Sequence, residues 1–237
     1  MIFTIYGLAA AIVAGCTLFF RRRSRFLAVI FPLWFALAVV IDQTGVFPVA
    51  GTWVAGDFLR FVMFGALMSL PIIGYAALPV LAPEARAALS TAPLWGLAGL
   101  QIYRIGGVAF FFALQDGLMP AVLALSAGIL DVFIAVSALG VAYLLRRGLG
   151  HRTAIAWNLI GLTDLMIAIL LVAASIFGLL SLSPAPSAIG QSPFVLISLF
   201  QLPLAVIAHI EMLRRLLGAP PGRGCSGSLS AGRLRCG

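Results

Sequence analysis

Arg104, Asp131 and Asp164 each fall near the middle of a long apolar run. A charge at such a position costs around 2.5–3.5 kcal/mol on membrane-insertion scales, so it needs a partner or a purpose. At about 1.5 Å per helical residue, counted from the nearest Arg-rich ends, the three lie at depths of roughly 16, 21 and 15 Å. They can therefore meet in one layer. One guanidinium can serve two carboxylates through its forked donors. Two acids against one Arg leave a formal negative charge, which makes Asp131 or Asp164 a candidate proton carrier. Gln101 lies three residues before Arg104 on the same helical face, with Gly107 one turn beyond. Gln101, Arg104 and Asn158 are the candidate solute-binding groups. His209 and Gln201, in the last apolar run, form a second tier. Such a constellation supports two chemistries. One is a site for a polar solute, or a proton path, between helices. The other is an ion-paired lock that only fixes helix register.

The elements that must hold these residues follow from composition. The chain has 237 residues, 62% of them hydrophobic and 9% charged, against about 25% charged in a soluble domain. Mean hydropathy is +1.15. The expected fold is all-α: a polytopic integral membrane protein with a bundle of seven transmembrane helices, at about 20 apolar residues per crossing. The runs are 2–20, 26–42, 58–81, 93–114, 119–145, 154–180 and 193–213. All fifteen basic residues are Arg, and thirteen fall in alternate connections or at the end of the chain. The opposite connections, 43–57, 115–118 and 181–192, carry none. Basic residues stay on the cytoplasmic side, so the N-terminus is expected outside and the C-terminus inside. This asymmetry, rather than nucleic acid, accounts for the formal net charge of +8. Abundant Arg, Ala and Gly with no Lys fit a high-GC bacterial genome and hence the bacterial inner membrane. The first run is read as an uncleaved span, since no positive charge precedes it and arginines begin five residues after Cys16.

Finer features sharpen this arrangement. Ala124, Gly128, Asp131, Ala135, Ala138 and Ala142 form a stripe of small residues that lets a neighbouring backbone approach Asp131 closely. Trp157, Gly161, Asp164, Ala168 and Ser175 share a face in the next run, with Asn158 about a third of a turn away. Pro71 and Pro203 each free a backbone carbonyl and bend their spans. His209, two residues before Glu211, is expected at the cytoplasmic interface. Glu211 is expected to pair with Arg214 or Arg215 one turn on, and Arg60 with Asp57. Residues 1–217 form the transmembrane domain, and 218–237, rich in Gly, Ser and Pro, a disordered cytoplasmic tail.

Absent residues exclude several functions. Without Lys there is no Schiff base for retinal. Bilayer haem needs two facing His, and only His209 lies near a span. Neither a zinc motif nor a phosphate-binding glycine loop is present, so no metal or cofactor is expected. The cysteines, Cys16, Cys225 and Cys236, form no metal or disulfide pattern. Gly128-Ile129-Leu130-Asp131 lacks the second glycine that an intramembrane aspartyl protease would carry directly before its Asp.

Gln101-x-x-Arg104-x-x-Gly107, then Pro120, Ala127-Gly128-x-x-Asp131 and Trp157-Asn158-x-x-Gly161-x-x-Asp164 resemble a group of uncharacterised bacterial multi-pass membrane proteins. The resemblance spans about residues 93–215. It groups the same constellation and implies no activity. The expectation is a small-solute transporter or solute-binding protein, with proton coupling through Asp131 or Asp164. Its partners are the lipid bilayer and a small solute. The alternative is a non-catalytic structural or assembly subunit that meets a protein partner helix to helix, the small-residue stripes being its contact faces.

Overall fold

The computed structural model describes residues 2–45, 47 and 55–218. Every regular element among them is helical. Six segments are long and apolar enough to cross a membrane: Arg25–Thr44, Leu59–Leu81, Leu94–Gln115, Ala121–Arg146, His151–Ile176 and Phe194–Gly218. This is a multi-pass membrane protein by the length and composition of its helices. The first expected span, α1 (Ile2–Phe20), is helical, but its described apolar stretch, Ile5–Phe20, is shorter than the other six.

Local chemistry sets the boundaries. Ser24 caps α2 (Arg25–Thr44), its Oγ accepting from the Leu27 N–H at 3.3 Å, and Gly45 closes it in the left-handed conformation at φ 60°. After α3 (Ala55–Leu81), the connection to the next span is itself largely helical. Pro83 starts a short helix, α4 (Pro83–Ser90), with Glu84 in its first turn. Its Ala85, Ala88 and Leu89 are buried against the bundle. The span Leu94–Gln115 is broken into α5 (Leu94–Leu100), a 3₁₀ stretch Gln101–Gly107 and α6 (Val108–Gln115). Then follow α7 (Ala121–Arg146) and α8 (His151–Ile176), joined through Gly148 and Gly150 at φ 70° and 72°. The last span comprises α9 (Phe194–Leu196), a π-helical turn Ile197–Gln201 and α10 (Leu202–Gly218).

Several expected boundaries move. The sixth run ends at Ile176, not 180, and begins at His151, so His151 and Arg152 lie in the first turn of α8. The last helix runs to Gly218 rather than 213, so Arg214 and Arg215 belong to it. Arginine does not stop a helix; its long stem lies along the helix while its head reaches the interface. The Asp57 side chain, most of the 43–57 connection, Cys225, Cys236 and the tail beyond Gly218 lie outside the described residues.

The last span is the core of the bundle. In its most apolar window 72% of residues are buried, against 11% for α3 and 17% for α8. α10 packs on α8, α3 and α5, while α7 packs along the whole broken span and against α8. The small-residue stripe makes that approach possible, with Ala124, Ala135 and Ala138 fully buried. Outward faces carry Val136, Leu139 and Leu170, each 58–64% exposed. A belt of this kind suits lipid rather than water. At the Arg-rich end, Arg86 bonds Glu211 of α10 at 2.8 Å, Arg215 bonds the Ala92 carbonyl, and Arg146 lies over the Trp95 ring.

Candidate functional site

The break in the fourth span is where the chemistry sits. A 3₁₀ helix has three residues per turn, so Gln101, Arg104 and Gly107 align on one ridge instead of drifting around the axis. That ridge faces α7, α8 and α10. Arg104 is 3% exposed. Its Nε donates to Asp131 Oδ1 at 2.6 Å, and its Nη2 is bonded to Asp164 Oδ2. Its Nη1 donates to His209 Nε2 at 3.2 Å. Each guanidinium nitrogen therefore has a protein acceptor.

The rest of the network follows from donor and acceptor logic. Arginine only donates, so His209 Nε2 must be bare and the ring proton sits on Nδ1. That proton points at Asn158 Oδ1, 2.8 Å away, and Asn158 Nδ2 donates to the Ala154 carbonyl at 2.7 Å. His209 is thus a neutral imidazole between a cation and an amide. With one Arg and two carboxylates, the cluster is formally an anion. Trp157 covers the ring, with centroids 5.2 Å apart.

Three glycines make the convergence possible. A Cβ on Gly107 would run into the Asp131 side chain, 2.8 Å from its Oδ2. One on Gly128 would lie 2.9 Å from the Phe111 ring and 3.4 Å from the Gly107 carbonyl. One on Gly161 would collide with His209. The glycines of the three sequence patterns each vacate the space that a cluster residue, or the crossing that carries it, occupies.

The sequence-predicted residues come together unevenly. Arg104, Asp131, Asp164, Asn158 and His209 form one connected network. His209 is not interfacial: it is fully buried, nine residues before the end of α10. It was misplaced because the helix continues past Arg214 and Arg215. Gln101 turns instead to the Ala205 carbonyl at 3.5 Å. Gln201 sits in the π turn, its backbone carbonyl accepting from Tyr103 Oη at 2.7 Å. That bond ties the two irregular turns together. Tyr103 was missed, although a tyrosine beside Arg104 in an apolar run was the available signal.

A cavity of about 120 Å³ opens beside the cluster. Arg104, Asp131, Asp164 and Gln201 reach its wall, while Phe64, Phe110, Leu123 and Leu165 make it largely apolar. Asp164 and Gln201 each also hold one buried polar atom, Oδ1 and Nε2, without a hydrogen-bond partner among the described residues. Asp131 is 14% exposed at its side chain. The cavity lies on the Arg-poor side of the cluster, toward Phe61 and Ile189. On the other side, Ala98, Ile134, Ala138, Trp157 and Met212 close the bundle with an apolar core.

Two further polar groups lie outside the cluster. Tyr75 Oη donates to Glu211 at 2.7 Å, beside its bonds to Arg86 and Arg214. The Arg214 pairing follows from the i,i+3 spacing, whereas Tyr75 and Arg86 come from distant segments. At the opposite end Asp42, 5% exposed, accepts from Tyr6, from Ser192 Oγ at 2.8 Å and from the Leu196 N–H at 3.3 Å. It thereby satisfies an amide at the start of the last span.

No curated protein and no solved structure matches the chain. A family model described as Domain of unknown function (DUF8737) matches residues 61–217, from α3 through α10 and including every residue of the cluster, and the chain belongs to that family.

Proposed function

We propose that this protein binds a small solute at its midplane charge cluster and carries it across the bacterial inner membrane. In this reading α1 is the seventh span, the N-terminus is outside and the C-terminus is cytoplasmic. The Arg-rich connections support that orientation. The cavity then faces outward, and the apolar core seals the cytoplasmic half.

The observation that carries the proposal is that Asp164 and Gln201, two residues lining the cavity, each hold a buried polar atom, Oδ1 and Nε2, without a partner among the described residues. A buried polar atom without a partner costs about 1–3 kcal/mol. A solute that these side chains turn to meet relieves that cost. Two interrupted helices crossing at this level add support. Discontinuous spans at the bilayer midplane are a recurrent way to build transport sites. Arg104 holds the two carboxylates in place, and Asp164 and Gln201 meet the solute. Asp131 or Asp164 carries the proton if transport is coupled.

The test is thermal unfolding of the purified full chain against a panel of small metabolites and ions, with wild type beside Gln201→Leu. A ligand at one hundred times its dissociation constant adds about 2.7 kcal/mol. A shift in wild type that is lost in Gln201→Leu supports the site. No shift with any compound overturns it.

A further inference from the structure

We infer that the solute is a small organic cation, a protonated amine on a short apolar body, rather than an anion. The inference rests on the solute-site reading above and names its substrate class.

Charge comes first. All three nitrogens of Arg104 are engaged by Asp131, Asp164 and His209. His209 is neutral by its hydrogen bonds, so with both carboxylates ionised the site holds one positive and two negative groups. A second anion would add a like charge in a medium where charges are poorly screened. A cation neutralises the site.

Hydrogen bonding points the same way. The unpartnered Asp164 Oδ1 is an acceptor on a carboxylate whose side chain is 3% exposed. It needs a donor, and an ammonium supplies three. Asp131, its side chain 14% exposed, lines the same cavity. Gln201, 4% exposed, is a further lining residue, and its amide suits a hydroxyl or carbonyl elsewhere on the solute.

Shape sets the body. The volume of about 120 Å³ is somewhat below the roughly 150 Å³ of an engineered apolar cavity that holds benzene. Phe61, Phe64 and Phe110 line it. Aromatic faces attract a nearby cation and pack against alkyl groups. A bare divalent ion is a poor fit, because it takes 6–8 oxygen ligands and this wall is mostly carbon.

Three probes of one skeleton test the class on the full chain in lipid nanodiscs: n-butylammonium, n-butanol and butyrate, read by the unfolding midpoint. The expected order is butylammonium at least tenfold tighter than butanol, with butyrate silent. Asp164→Asn should bring butylammonium and butanol within threefold of each other. The wild-type order is decisive even if that variant does not fold. Butanol or butyrate binding as tightly as butylammonium overturns the cation class and leaves the solute site standing. Sodium chloride stabilising in place of butylammonium overturns it also. Silence from all three probes overturns the class, and the wider solute panel then decides the parent reading by itself.

Discussion

The His209 imidazole stands where a side chain on Gly161 would be: a Cβ there would lie 2.5 Å from both Cε1 and Nε2 of the ring and 3.3 Å from Arg104 Nη1. α8 and α10 can cross at this level only because one partner has no side chain. The same ring links Arg104 to Asn158. The glycine is therefore part of the charge network without carrying a polar atom.

Gly161→Ala should destabilise the protein by about 1–3 kcal/mol through overpacking. In a His209→Ala background the added methyl fits, and the further loss should fall below about 0.5 kcal/mol. Unfolding of the four proteins in detergent closes the double-mutant cycle. Additive losses would show that the ring is not what the methyl meets.

Arg104→Gln removes the donor to two carboxylates at once. Breaking a buried pair in this way costs about 3–5 kcal/mol. Arg104→Lys should recover little, because a single ammonium cannot replace a planar fork that reaches Asp131 and Asp164 from different nitrogens. Adding Asp131→Asn and Asp164→Asn to Arg104→Gln should recover most of the loss. An Arg104→Gln protein that unfolds like wild type would contradict the network.

Pro203 has no N–H, so the carbonyl of Leu199, four residues earlier, loses its helical donor. The Trp34 indole Nε1 donates to it instead, at 2.8 Å. Trp34→Phe should therefore cost about 1–3 kcal/mol by stranding that carbonyl. Pro203→Ala in the Trp34→Phe background should offset part of the loss, since it returns an N–H to the chain. If Pro203→Ala deepens the loss, Trp34 is not compensating for the proline.

At the Arg-rich end the three partners of Glu211 should rank by burial. Tyr75 is 9% exposed and donates to a charged acceptor, so Tyr75→Phe should cost about 1.5–3 kcal/mol. The Arg214 side chain is 47% exposed and its pair with Glu211 is partly solvated, so Arg214→Ala should cost below about 1 kcal/mol. Arg86, 19% exposed, falls between. Unfolding midpoints of the three single variants give the order, and Arg214→Ala as the largest loss would reverse it.

Much of the membrane architecture is legible without coordinates. Hydropathy and length mark the runs, because a helix that crosses hydrocarbon must satisfy its backbone internally and clothe itself in apolar side chains. The cost of a charge in such a run singles out Arg104, Asp131 and Asp164, and one guanidinium among two acids already implies contact. The small-residue stripe on α7 correctly announces a close neighbour. What periodicity could not show is where it breaks. A steady 3.6-residue reading of Leu94–Gln115 conceals the 3₁₀ turn that aligns Gln101, Arg104 and Gly107. The same reading of the last span conceals the π turn and stops the helix before Arg214.

Composition and charge alone thus determined that the chain is helical and membrane-borne, and which charges must be reconciled inside it. Those facts depend on each residue and its solvent, and a residue type carries them wherever the chain goes. Only the tertiary structure decided that His209 joins the cluster rather than the interface, that Asp42 caps an amide 154 residues away from it along the chain, and that a cavity reaches Asp164 from the Arg-poor side. Each of these depends on which helix faces stand opposite one another. Close packing of distant segments sets that, and no spacing within one segment encodes it.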